Sequence, residues 1–102
     1  MKMYLISDNV DTFTGMRLAG VEGEVVHSRK HVKQAVERVL DDKSIGILLI
    51  TEKLCAKVPE MIDDIKINRK QPLLVEIPDR HGSGRNSNFI TDYINEAIGI
   101  KI

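Results

Sequence analysis

Ile45-Gly46-Ile47-Leu48-Leu49-Ile50 is the most apolar run in the chain. A strand this continuous in Ile and Leu is buried on both faces, which places it at the centre of a parallel sheet. The segments on either side fit that reading. Upstream, Ser28 to Asp42 forms the clearest helix: Val32, Ala35, Val36, Val39 and Leu40 recur at the spacing of one buried face, and Ser28 is placed to cap it. Downstream, Thr51 opens a helical stretch in which Leu54, Val58, Met61, Ile62 and Ile65 share a face. Pro59 lacks a backbone donor, so it kinks that stretch or restarts it as a first-turn residue. Lys66, Arg69 and Lys70 lie where cations favour the helix dipole, and Pro72 ends the element.

Further outward the alternation continues. Met3-Tyr4-Leu5-Ile6 reads as the first strand and ends at the turn-prone Ser7-Asp8-Asn9. A helix follows from about Asp11 to Ala19, capped by Asp11 or Thr12 and stopped by Gly20. Glu24-Val25-Val26-His27 is a short second strand. Leu73-Leu74-Val75-Glu76-Ile77 is the fourth, closed by Pro78. Residues 79–86 form a polar, glycine-bearing loop. Ser87 or Asn88 then caps a last helix with Ile90, Tyr93, Ile94, Ala97 and Ile98 on its buried side. Gly99 terminates it and leaves an apolar tail, Ile100-Lys101-Ile102.

The order β-α-β-α-β-α-β-α, with connections long enough for parallel crossovers, predicts an α/β fold. The expected architecture is an open four-stranded parallel sheet, order 2-1-3-4, flanked by helices. That order puts the two most apolar strands in the middle. Residues 1–102 are expected to make one domain: a core over 1–78, the loop over 79–86, and a C-terminal helix and tail over 87–102.

Composition narrows the functional classes. The 102 residues are 42% hydrophobic and 29% charged, an ordinary globular balance. Fifteen basic residues cancel fifteen acidic ones, which argues against a dedicated nucleic-acid binder or a polybasic membrane anchor. No apolar run approaches the roughly 20 residues that cross a bilayer. A single cysteine, Cys55, cannot pair internally, so a reducing cytoplasm is the expected setting.

In such a sheet, ligands sit beyond the carboxyl ends of the strands, between the first and third. Ser7-Asp8-Asn9 and Thr51-Glu52-Lys53 fall there. Asp8 is a candidate for holding a metal or phosphate group, but Asp and Asn make turns by habit, and a metal site needs several convergent ligands. A phosphate-receiving domain wants an aspartate at the end of the third strand; Thr51 stands there instead. Gly82-Ser83-Gly84-Arg85 has neither the dinucleotide fingerprint nor the P-loop ending. His27, His31 and His81 show no zinc spacing, and Cys55 reads as a packing residue. Glu76 either guards an edge strand or makes a fixed polar contact. No catalytic, cofactor or metal residues are assigned.

Several of these segments together resemble a known pattern. Asp8-Asn9-Val10-Asp11-Thr12-Phe13-Thr14-Gly15-Met16-Arg17-Leu18-Ala19-Gly20-Val21 is similar to the acidic turn and Gly-aromatic-Arg-Leu-Ala-Gly helix of the F subunits of V-type and archaeal-type (A-type) rotary ATPases, with Met16 in the aromatic place. The Ile45–Glu52 run, Pro72-Leu73-Leu74-Val75-Glu76-Ile77-Pro78 and the ending Gly99-Ile100-Lys101-Ile102 resemble the same family. The resemblance implies a Rossmann-like, receiver-like fold with a C-terminal helix, and a non-catalytic rotor subunit in the central stalk. It implies binding to the coiled-coil D subunit of the rotor, below a catalytic head of A and B subunits and above a further component that links the rotor to the membrane ring. The complex would couple ATP hydrolysis or synthesis to proton or sodium transport, with this chain cytoplasmic and peripheral to the membrane. Expected partner contacts are Arg17, Arg80, Arg85, Phe89, Asp92, Asn95, Glu96, Ile100 and Ile102, with Phe89 as the anchor. A degenerate receiver-like protein-interaction domain, or a small enzyme working at the crevice between the first and third strands, stays open as an alternative.

Overall fold

The computed structural model describes residues 1–78. Strands β1 (Lys2–Ser7), β2 (Glu22–Val25), β3 (Ile45–Thr51) and β4 (Leu73–Ile77) alternate with helices α1 (Val10–Leu18), α2 (Arg29–Asp41), α3 (Glu52–Cys55) and α4 (Pro59–Asn68). All neighbouring strands pair in parallel, in the order β2-β1-β3-β4. The order reverses direction between β1 and β3. Right-handed crossovers therefore put α1 on one face and α2, α3 and α4 on the other.

Two cores result. Ile6, Leu48 and Ile50 point toward the α2–α4 face, where Val32, Val36, Leu54, Val58, Ile62 and Ile65 close over them. Leu5, Leu49, Val75 and Ile77 point to the other face and meet Met16 and Val21. The expectation that β3 is buried on both sides holds: Leu48, Leu49 and Ile50 are all fully buried.

Ile45 shares a face with Leu48 although the two are three residues apart. The reason is a register shift, in which Lys2 pairs with Ile45 and Met3 with Ile47. Gly46 is the extra residue of this bulge. A Cβ on Gly46 would meet the side chain of Met1, the exposed first residue, which would have to move aside.

Local chemistry sets the element ends. Pro59 is the first residue of α4, so it restarts the helix rather than kinking it. Ser28 caps α2 by accepting from the His31 amide at 3.2 Å. Two expectations needed correction. The cap of α1 is Asn9, whose Oδ1 accepts from the Thr12 amide at 3.1 Å, not Asp11 or Thr12. Strand β2 starts and ends two residues earlier than the apolar Val25-Val26 pair suggested, because its partner β1 sets the register: Tyr4 lies beside Glu22 and Ser7 beside Val25.

Polar contacts tie the outside together. Arg29 pairs with Glu60 at 2.6 Å, and its Nε donates to the Lys57 carbonyl at 3.1 Å, strapping α2 to the α3–α4 junction. Lys66 pairs with Glu76 at 3.2 Å, so Glu76 makes a fixed polar contact between β4 and α4. The Tyr4 hydroxyl donates to Glu24 at 2.7 Å, and Arg38 holds the other Glu24 oxygen at 2.6 Å.

Two groups make stability fall at high pH. Burial, then the Glu24 carboxylate, pushes the Tyr4 phenol up from 10.0 to about 12. Burial, then Glu76, pushes the Cys55 thiol up from 9.0 to about 12. The unfolded chain releases these protons first, so their contribution is complete below about pH 9 and drains as pH climbs toward 12. Urea midpoints measured from pH 8 to 11.5 should decline steadily above pH 9, and Tyr4→Phe should flatten part of the slope. A level profile would contradict this account.

Candidate partner interface

The switch point between β1 and β3 is the natural place for a ligand. Ser7, Asn9 and Thr51 use their polar groups in building the turn there. Ser7 is fully buried; its hydroxyl donates to the Asn9 carbonyl and accepts from the Asn9 amide, both at 2.9 Å. The Thr51 hydroxyl accepts from the Asp8 amide at 3.3 Å. Asn9 spends its side chain on the α1 cap. Among the described residues, no buried side-chain nitrogen or oxygen lacks a partner, and no three His, Cys, Asp or Glu side chains converge. Cys55, the last residue of α3, is buried with its thiol protonated at neutral pH, so it is no nucleophile there.

The exposed side of α1 has a different character. Its buried side carries Thr12 and Met16, with Phe13 packed beside them. The opposite side presents Val10 (62% exposed), Thr14 and Leu18 (86% exposed), spaced four residues apart in one line. Arg17 sits in the last turn beside Leu18, exposed, with its guanidinium in no hydrogen bond or ion pair among the described residues. Its positive charge near the helix C-terminus suits the dipole. Gly20, with φ of 89°, ends the element, and its amide donates to the Arg17 carbonyl at 3.0 Å.

Of the contacts expected from sequence, Arg17 is thus exposed on α1 beside Leu18. Arg80, Arg85, Phe89, Asp92, Asn95, Glu96, Ile100 and Ile102 lie outside the described residues, as do the 79–86 loop and the last helix. Sequence reading passed over Val10 and Leu18. Their signal was present in the weak segregation of α1, whose apolar residues occur on both sides of the helix; such a helix leaves some of them in solvent.

Residues 3–94 match the model of the family described as ATP synthase (F/14-kDa) subunit. The chain belongs to this family. It is similar to the F subunit of the A-type ATP synthase of Pyrococcus abyssi, with 34% identity over 100% of this chain and 98% of the relative. It is likewise 33% identical to the A-type ATP synthase F subunit of Methanothermobacter thermautotrophicus, over 90% of this chain and 88% of that one. The corresponding F subunit of Thermococcus sibiricus is 30% identical over 100% of this chain and 98% of its own length. The Asp8–Val21 segment that suggested the family in sequence is the turn and helix that carry Arg17 and Leu18. Among the described residues, no helix is long and apolar enough to cross a membrane.

Proposed function

We propose that this member of the F-subunit family is a non-catalytic rotor part in the central stalk of an A-type or V-type rotary ATPase, and that it grips the coiled-coil D subunit. The observation that carries this reading is the family match over residues 3–94, joined to a switch point where Ser7, Asn9 and Thr51 hydrogen-bond within the turn. A rotor part transmits torque, so it must be stiff and must not slip. A parallel sheet with apolar side chains packed on both faces is a rigid body. In this role the chain carries no ATP chemistry. It helps couple hydrolysis or synthesis in the head of A and B subunits to proton or sodium movement, through the component that joins the rotor to the membrane ring. It is then cytoplasmic and peripheral, held at the membrane by its partners. Phe89 and the other contacts expected between Arg80 and Ile102 belong to the same grip.

Co-expression with the D subunit of the same complex, followed by size-exclusion chromatography at micromolar concentration, tests the reading. One co-eluting peak, with no nucleotide turnover by this chain alone, is the expected result. Two separate peaks would refute it.

A further inference from the structure

We infer that the outer face of α1 is the seat of one helix of the coiled-coil partner, with Gly15 as the point of closest approach and Leu18 as the anchor. This inference rests on the rotor reading and names the surface which that reading uses.

Gly15 is the starting point. It lies inside a nine-residue helix, where glycine forfeits helix stability relative to alanine. Each of the other described glycines has a reason within the fold. Gly20 adopts a positive φ, Gly23 lies against the Leu5 backbone, and Gly46 lies against Met1. Gly15 has none of these. Its φ is not positive, and a Cβ placed on it meets no atom within 4 Å. The fold of the free chain would accept alanine there and gain by it. The missing side chain therefore serves something outside the described fold.

Its neighbours indicate what. Leu18 is one turn further on the same side and 86% exposed, the posture of an anchor waiting for a pocket. Val10 and Thr14 continue the line toward the helix start. A gap at glycine beside ridges at three- and four-residue spacing is the relief into which the ridge of another helix fits. A strand would instead seek open backbone donors and acceptors, which the middle of a helix does not offer. The Arg17 guanidinium on the rim, unpaired among the described residues, calls for a carboxylate from the incoming helix. The occupant is thus an α-helical segment of the partner with an apolar ridge and an acidic residue beside it.

The two arms of the test move in opposite directions. Free Gly15→Ala should melt about 4 °C or more above wild type, since a helix-interior glycine is replaced without a clash. In titration calorimetry with the purified D subunit of the same complex, that stabler variant should bind about tenfold more weakly. Leu18→Ser, at an exposed position, should keep its melting temperature and also lose about tenfold in affinity. If wild type binds the D subunit and both variants bind as tightly, this surface is wrong while the rotor reading stands. If wild type itself fails to bind, the rotor reading falls, and this surface with it.

Discussion

Leu48→Ala should leave the protein on the edge of unfolding. Leu48 is fully buried in the middle of β3, between Tyr4 of β1 and Leu74 of β4 in register. Above it sits the larger of the two described cores, built by α2, α3 and α4. Removing the isobutyl group loses its transfer energy and opens a cavity that a sheet held from both sides cannot close. Such changes cost about 2–5 kcal/mol, against a total of about 5–15 kcal/mol for a whole domain. A domain of this size belongs near the lower end of that range, so one substitution removes much of the margin. The urea midpoint should fall steeply while the slope of the transition stays the same. Leu18→Ala, with the same atoms deleted from an exposed site, should shift the midpoint by no more than about 0.5 kcal/mol equivalent. Equal effects at the two positions would mean that the core assignment is wrong.

The contrast between those leucines also marks what was legible in the sequence. Wherever one force dominates, the pattern gave the structure. Ile45–Ile50 has nothing but apolar side chains around Gly46, so only a doubly buried strand accommodates it. The α2 stripe is equally unambiguous, set by periodicity, and the missing donor of Pro59 marked a break there whose form, a restart, the structure decides. Strand order followed from putting the two most apolar strands inside. Elsewhere two preferences were close. Asn9, Asp11 and Thr12 are all competent caps, and the choice of Asn9 depends on where Ser7 and Thr51 fix the turn. In β2 the apolar Val25-Val26 pair drew the strand two residues too late, past Glu22 and Gly23, because its limits are set by pairing with β1. The interface was the least legible part. Arg17 stood out as a charged motif residue, but Leu18 looked like any helix leucine. Only its exposure, beside a glycine with no internal duty, gives it meaning.

Gly23→Ala is the second large effect expected, and it probes the weakest join of the sheet. Strand β2 has four residues, lies at the edge, and is held by pairing to β1 with α1 packed alongside. A Cβ on Gly23 would come 2.5 Å from the Leu5 carbonyl oxygen and 2.8 Å from the Leu5 Cβ. Those atoms belong to a central strand locked on its other side to β3, so Leu5 cannot retreat. The edge strand must give way instead. Overpacking of this kind costs about 1–3 kcal/mol. It should be localised. Amide exchange should speed up across residues 22–25 and through α1, which leans on β2, while β3 and β4 stay protected. The Glu24 contacts to Tyr4 and Arg38 sit on the displaced strand, so the Tyr4 phenol should titrate closer to its ordinary value. Uniformly raised exchange would show that the sheet opens as one unit. Unchanged exchange together with an unchanged Tyr4 titration would show that β2 tolerates the methyl, and that the contact between Gly23 and Leu5 is not what fixes the edge strand in place.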